Sequence, residues 1–179
     1  AQPSLDLLID GALSESFATR VLPAYLNTCR WFGGKTRGIR VCRITDRIPM
    51  GDGDGAAQII LIDLNYFDGG VETYLLPLQI ATGPGAAAIM QDAPQAVIAR
   101  FAAEDPTQES ILFDAVQDER FRAALLDFMT RQKTQRGPGG VAAGFPGQLL
   151  AQSDTSPTAT PLTSRVLKVE QSNSSIIYQ

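Results

Sequence analysis

Histidine does not occur among the 179 residues. The chain itself therefore carries no histidine-based triad, general base or metal ligand. Cysteine is scarce too. Cys29 and Cys42 are the only two, they form no C-x-x-C pair, and they read as structural thiols in a reducing compartment. No apolar run approaches the roughly eighteen residues that span a bilayer. The start, Ala1-Gln-Pro-Ser, lacks the charged region and apolar stretch of a signal peptide. A cytoplasmic protein with no membrane partner is expected. A basic balance is missing as well: 15 Lys and Arg stand against 19 Asp and Glu, a net charge of −4. The one local basic excess, Arg30, Lys35, Arg37, Arg40 and Arg43, reads as decoration of a helix end and a strand, so no nucleic-acid partner is expected. No internal repeat is visible. The missing initiator Met and the abrupt end at Gln179 suggest a piece excised from a longer chain.

What is present suits a globular protein with a real core: 44% hydrophobic and 19% charged residues, in a length that permits one ordinary domain or two small ones. Leu5, Leu7, Leu8 and Ile9 form a first apolar patch that caps a core or opens a helix. Ser14 or Ser16 can cap the next segment. In that segment Phe17, Val21, Leu22, Tyr25, Leu26 and Cys29 share one helical face. Pro23 either kinks this helix or opens a second one. Arg30-Trp31-Phe32-Gly33-Gly34-Lys35 ends it. The aromatic pair reads as a core anchor, and the glycines as a sharp exit permitting positive φ. The alternative is that Arg30 and Lys35 grip an anion.

Strands are expected at 38–48, 57–67 and 71–81, the last two joined through Asp68-Gly69-Gly70, which has hairpin-turn chemistry. Pro77 argues for an edge position or a bulge in the third. Gly51-Asp-Gly-Asp-Gly55 lacks the further acidic ligands and closing Glu of a calcium loop and reads as a turn. A small helix is possible over 86–91. Further strands are expected at 96–102 and 110–116. A strong helix then opens at Asp118-Glu119 and carries Phe121, Ala124, Leu125, Phe128 and Met129 on one face, with Gly137-Pro138-Gly139-Gly140 to stop it. Residues 137–161 read as an exposed connector, with Phe145, Leu149 and Leu150 able to pin part of it. The fold class is α+β: an antiparallel sheet packed on a helix in a domain over 1–92, followed by a smaller α+β region over 93–179.

The chain closes on two short strands, 165–169 and 175–178, around the polar turn Glu170-Gln171-Ser172-Asn173-Ser174. Small polar residues expose backbone N–H groups and offer hydroxyl and amide donors, a chemistry that cradles phosphate. It serves equally well in an ordinary hairpin turn.

Four words in order give the chain a family resemblance. They are Leu22-Pro-Ala-Tyr-Leu26 with Arg30-Trp-Phe-Gly-Gly-Lys35; Tyr74-Leu-Leu-Pro-Leu78; Asp114-Ala-Val-Gln-Asp118 with Phe121 and Ala124-Leu-Leu126; and Glu170-Gln-Ser-Asn-Ser-Ser175. Together they resemble the N-terminal part of the maltokinases, ATP-dependent kinases of maltose often fused behind trehalose synthase. The resemblance implies a cystatin-like cap followed by the start of a protein-kinase-like upper lobe. It also implies that Gln171, Ser172, Asn173, Ser174 and Ser175 face the ATP phosphates. The strand carrying the family's nucleotide lysine, the catalytic aspartate and the Mg²⁺ ligands would belong to lobes outside this chain, so no catalytic and no metal-binding residue is assigned here. Cys29, where the family often has Gln, is a departure without catalytic consequence. The implied partners are the remaining kinase lobes, maltose and ATP with Mg²⁺ in the complete enzyme, and a trehalose synthase domain or subunit. This chain alone would be inactive. The competing expectation is a non-catalytic docking module for such a synthase, with the 171–175 turn a plain hairpin.

Overall fold

The computed structural model describes residues 3–51, 53, 55–103, 105–148, 162–167 and 173–179. It is an α+β fold, as expected, built on one five-stranded antiparallel sheet of order β1-β2-β3-β5-β4. The strands are β1 (Ile39–Met50), β2 (Ala57–Tyr66), β3 (Val71–Thr82), β4 (Val97–Phe101) and β5 (Ser110–Asp114). The boundary expected at residue 92 does not separate two sheets. β5 pairs with β3 through Leu78↔Asp114 to Thr82↔Ser110, and β4 closes the same sheet on its far side. Short apolar runs such as Ile111-Leu112-Phe113 do not say in sequence which strand they will join.

One face of the sheet is covered by the N-terminal helices. α1 (Leu5–Ile9) is capped by the Ser4 side chain and buries Leu5, Leu8 and Ile9. Arg47 of β1 ties it down through ion pairs to Asp6 and Asp10. A second helical run follows, made of α2 (Ser14–Ser16), a π-turn over Phe17–Val21 and α3 (Leu22–Thr28). Neither Ser14 nor Ser16 caps it, because Leu13 occupies the cap position. The π-turn explains how the helix passes Pro23. Proline has no N–H to give and its ring crowds the carbonyl four residues back. The wider turn, in which the Leu22 amide reaches back to the Phe17 carbonyl, absorbs that misfit, and Pro23 sits in the first turn of α3. Phe17, Leu22, Tyr25, Leu26, Cys29 and Phe32 pack here on Ile60, Ile62, Leu64, Tyr66, Leu76, Leu78 and Leu112.

β1 departs from the simple alternation its sequence suggests. Register shifts at Arg40 and at Thr45 each insert one residue against β2. Each shift moves the following side chains to the other face. Cys42 and Ile44 therefore pack with α3, whereas Ile48 and Met50, of the same parity, join a second cluster on the opposite face. The turn between β2 and β3 is the expected one: Gly69 has φ 88°, and the Asp68 carboxylate accepts from the Gly70 amide at 2.9 Å. Pro77 stands where the β5 ladder begins. N-terminal to it β3 pairs with β2 alone, the open-sided setting a proline strand needs. Gly51, Gly53 and Gly55 all have φ near 90°, so that loop is a glycine-dependent turn.

The opposite face is covered at both ends. α4 (Pro84–Asp92), longer than the sequence hint, packs Ala86 on Ile111 and Phe113. α5 (Glu119–Thr130) is capped by Asp118, whose carboxylate accepts from the Arg120 amide at 2.8 Å. It lays Phe121 on Ile48, Met50, Ala57 and Ile59. α5 stops at Thr130, before the Gly-Pro-Gly-Gly expected to end it. Gln132 takes φ 50°, the Lys133 amide reaches the Phe128 carbonyl and the Gln132 amide reaches that of Met129. This is a Schellman closure with glutamine in the place glycine usually takes.

The glycines at 137–140 do other work. They form the turn between β6 (Thr134–Arg136) and β7 (Val141–Ala143), which docks on β1: the Gly139 amide donates to Asp46 Oδ1 at 2.9 Å. A Cβ at Gly137 would lie 2.5 Å from the Arg47 carbonyl oxygen. The first part of the expected connector is thus structured, and Phe145 is exposed rather than pinned. Leu149, Leu150 and the rest of 149–161 lie outside the described residues. The chain ends on β8 (Ser164–Val166) paired with β9 (Ile176–Tyr178). Among the described residues no helix is long and apolar enough to cross a membrane.

Candidate functional site

Among the described residues the expected strand–turn–strand is present as β8 paired with β9. Ser164, Arg165 and Val166 oppose Tyr178, Ile177 and Ile176, and backbone bonds extend the ladder at both ends: Thr163 with Gln179, and the Leu167 amide to the Ser175 carbonyl at 2.9 Å. Of the five turn residues, Gln171 and Ser172 lie outside the described residues. Asn173 and Ser174 are exposed, and Ser175 is half-buried with its carbonyl committed to the ladder. Exposed neutral amide and hydroxyl groups held at the mouth of a paired hairpin are the donor type that a phosphate takes. Among the described residues no three acidic, cysteine or histidine side chains stand together as a metal site.

How this hairpin is held is not legible in the sequence. Val166 and Ile176 pack into the α5 cluster. Arg122 of α5, 8% exposed, donates through Nε to Ser164 Oγ at 2.8 Å, through Nη2 to the Ser164 carbonyl at 3.2 Å, and through Nη1 to the Val116 carbonyl at 2.8 Å. The Tyr178 hydroxyl donates to the carbonyl of Arg122 at 2.8 Å. The only sequence signal was an arginine next to the apolar stripe of α5.

The aromatic-glycine word makes a second cluster. Phe32 is buried and meets Tyr74 edge-on, with Trp31 tilted on the same ring. Neither Gly33 nor Gly34 has positive φ, contrary to the sharp exit expected of them. Gly34 is required by close approach, since a Cβ there would collide with the Tyr66 hydroxyl and lie 2.6 Å from the Phe32 ring. Arg37 lies 3.9 Å over the Tyr66 ring, pairs with Asp68 at 2.7 Å and with Glu72 at 2.6 Å. Tyr66 and Tyr74 both donate to Glu72. The Arg37 hydrogen bond holds Asp68 down at about 2. Hydrogen bonds from Tyr74 and Tyr66 lower Glu72 as well. The network locks the glycine loop to the β2–β3 hairpin and contains no free nucleophile or base.

Beneath α3 lies a third group. Asp114, at the end of β5, accepts from the Val116 amide at 3.0 Å and from the Tyr25 hydroxyl. Burial pushes its carboxyl up to about 6, against those two hydrogen bonds. Burial also raises Tyr25, and it pushes the Cys29 thiol up to about 11 and the Cys42 thiol to about 12. These are groups of a sealed core. A groove of about 660 Å³ opens elsewhere, between α1 and the β4 edge, and is lined by Leu7, Leu13, Phe101 and Ser110 among others. It does not include the turn.

The helix α3, the β2–β3 hairpin and the Asp114 corner thus form one packed body, and a family described as "Maltokinase N-terminal cap domain" matches the chain over residues 25–118. The chain belongs to that family. No curated protein matches it. The match begins within α3 and runs to Asp118, the cap of α5, so the maltokinase cap takes in all five strands of the main sheet. The turn at 171–175 lies beyond the matched residues.

Proposed function

We propose that this chain is the cap of an ATP-dependent maltose kinase, joined to the opening strands of its upper lobe. In the complete protein the γ-phosphoryl group of ATP passes to the anomeric hydroxyl of maltose, giving maltose 1-phosphate and ADP. The reading is carried by membership of the maltokinase cap family. It draws further support from the β8–β9 hairpin, which follows the cap and presents Asn173 and Ser174 to solvent at its open end. Such transfer depends on positioning and on neutralising charge around the phosphates, which Mg²⁺ supplies when bound with the nucleotide. Asn173, Ser174 and Ser175, with Gln171 and Ser172, contribute neutral donors. The test is ADP release from maltose and ATP-Mg, measured on this chain and on the complete polypeptide. Activity only in the longer protein, with an increased ATP KM in Asn173→Ala, supports the assignment. No activity in either across several disaccharides removes it.

A second reading is favoured by one observation. Val41, Val71 and Leu75, 40%, 60% and 56% exposed, lie on the α4–α5 face of the sheet toward the β2–β3 turn, among Asn65, Asp63 and Thr73. Exposed apolar side chains set among polar ones suit docking to a trehalose synthase domain or subunit. Co-elution with the synthase that Leu75→Arg abolishes would support it. The two roles are compatible.

A further inference from the structure

Arg122 is the one buried cation among the described residues, and all three of its described acceptors are neutral oxygens. Burying a guanidinium costs stability unless its donors are satisfied. Here they are used to join three segments: the Val116 carbonyl at the end of the matched cap, α5 itself, and Ser164 at the start of β8. The return bond from Tyr178 fixes β9 to the same residue. Among the described residues β8 and β9 pair over three residues each, and the Thr163–Gln179 and Leu167–Ser175 bonds extend that ladder by one step at either end. A hairpin of that size is marginal by itself. Its orientation is thus set by what it is clamped to, and a planar fork with donors in fixed directions specifies orientation where a lysine would supply a single point of charge.

We propose that Arg122 is a positioning residue that sets the β8–β9 hairpin, and with it Asn173 to Ser175, relative to the cap. The proposal rests on the reading of that turn as a phosphate contact. It gives the cap a role in catalysis without touching substrate: α5 carries the angle of the sheet-and-helix body into the nucleotide site. Val166 and Ile176 add apolar contacts that tolerate sliding, so the directional hold comes from Arg122 together with the Ser164 and Tyr178 hydroxyls.

Two measurements on the complete polypeptide test it. The first is amide hydrogen exchange. In Arg122→Lys the Thr163, Leu167 and Gln179 amides should lose protection while β2 and β3 keep theirs. The second is a kinetic split. The ATP KM should rise about tenfold, on the order of one lost charge-assisted bond, with the maltose KM unchanged. Because a buried change at Arg122 can compromise folding, Ser164→Ala and Tyr178→Phe are measured beside it. Each removes a contact and leaves Arg122 bonded to Val116, and each should shift both readouts in the same direction by less. Unchanged exchange in all three variants overturns the clamp. Lost protection with ATP and maltose KM altered alike reduces Arg122 to a structural residue and overturns the proposal, while the kinase reading stands. A wild-type protein that neither binds ATP nor releases ADP removes the kinase reading, and the positioning role with it.

Discussion

Asp114 offers a sharp test of the core, because its carboxyl is sealed beneath α3 and pushed up to about 6 from an ordinary 3.8. A folded-state value above the unfolded one means that the native chain holds its proton longer. Below the unfolded value the group is protonated in both states and its contribution is intact. As pH rises through 6 the native state must accept a buried charge, and that contribution is lost. The difference, about 2.2 between 3.8 and 6, is worth about 3 kcal/mol at about 1.4 kcal/mol for each tenfold. Asp114→Asn keeps an oxygen that can accept from Val116 and Tyr25 and cannot ionise. Its new amide donors need partners, a constant cost of about 1–3 kcal/mol. The quantity to follow is therefore how the stability difference between variant and wild type changes with pH. Urea unfolding across about pH 4 to 7, followed through the lone Trp31, should show the Asp114→Asn variant gaining on wild type by about 3 kcal/mol over that range. Asp68, held low by Arg37, weakens both proteins in acid and cancels in the difference. Parallel pH profiles for the two proteins would refute the reasoning, and would mean that Asp114 is hydrated or paired in solution.

Gly34→Ala should destabilise by about 1–3 kcal/mol through overpacking against Tyr66 and Phe32. Part of the loss should return in a Tyr66→Phe background, which a double-mutant thermal melt would reveal. The thiols of Cys29 and Cys42, buried and pushed up to about 11 and 12, should resist a thiol reagent near pH 8 in the native protein and react promptly in denaturant. Fast native reaction of either would place it nearer solvent than the packing of α3 on β1 allows.

Local features were legible wherever one residue type dictates one backbone shape. Asp68-Gly69-Gly70 announced its turn because only glycine takes φ 88° without strain. Asp118 and Glu119 announced a helix start because the helix dipole favours negative charge there, and from the stripe that follows Phe121, Leu125 and Phe128 pack on the β1–β2 cluster. The Asn and Ser residues at 173–175 were recognisable as a polar turn but not as part of a clamped hairpin, because Arg122 and Ser164 meet across 42 positions. Gly-Pro-Gly-Gly was legible as a breaker and misplaced in role, since its partner Asp46 is 93 residues from Gly139.

Taken alone, the sequence determined the α+β class, the β2–β3 hairpin, the amphipathic helices and a family resemblance carried by four short words. Each of these depends on side chains within about one turn or one strand of each other. The tertiary structure alone decided that β4 and β5 join the first sheet and that the bulges at Arg40 and Thr45 divide β1 between two cores. It also decided that a buried arginine ties the last hairpin to α5. Each of those outcomes depends on shape, burial and hydrogen-bond partners brought together by folding, which no local pattern encodes.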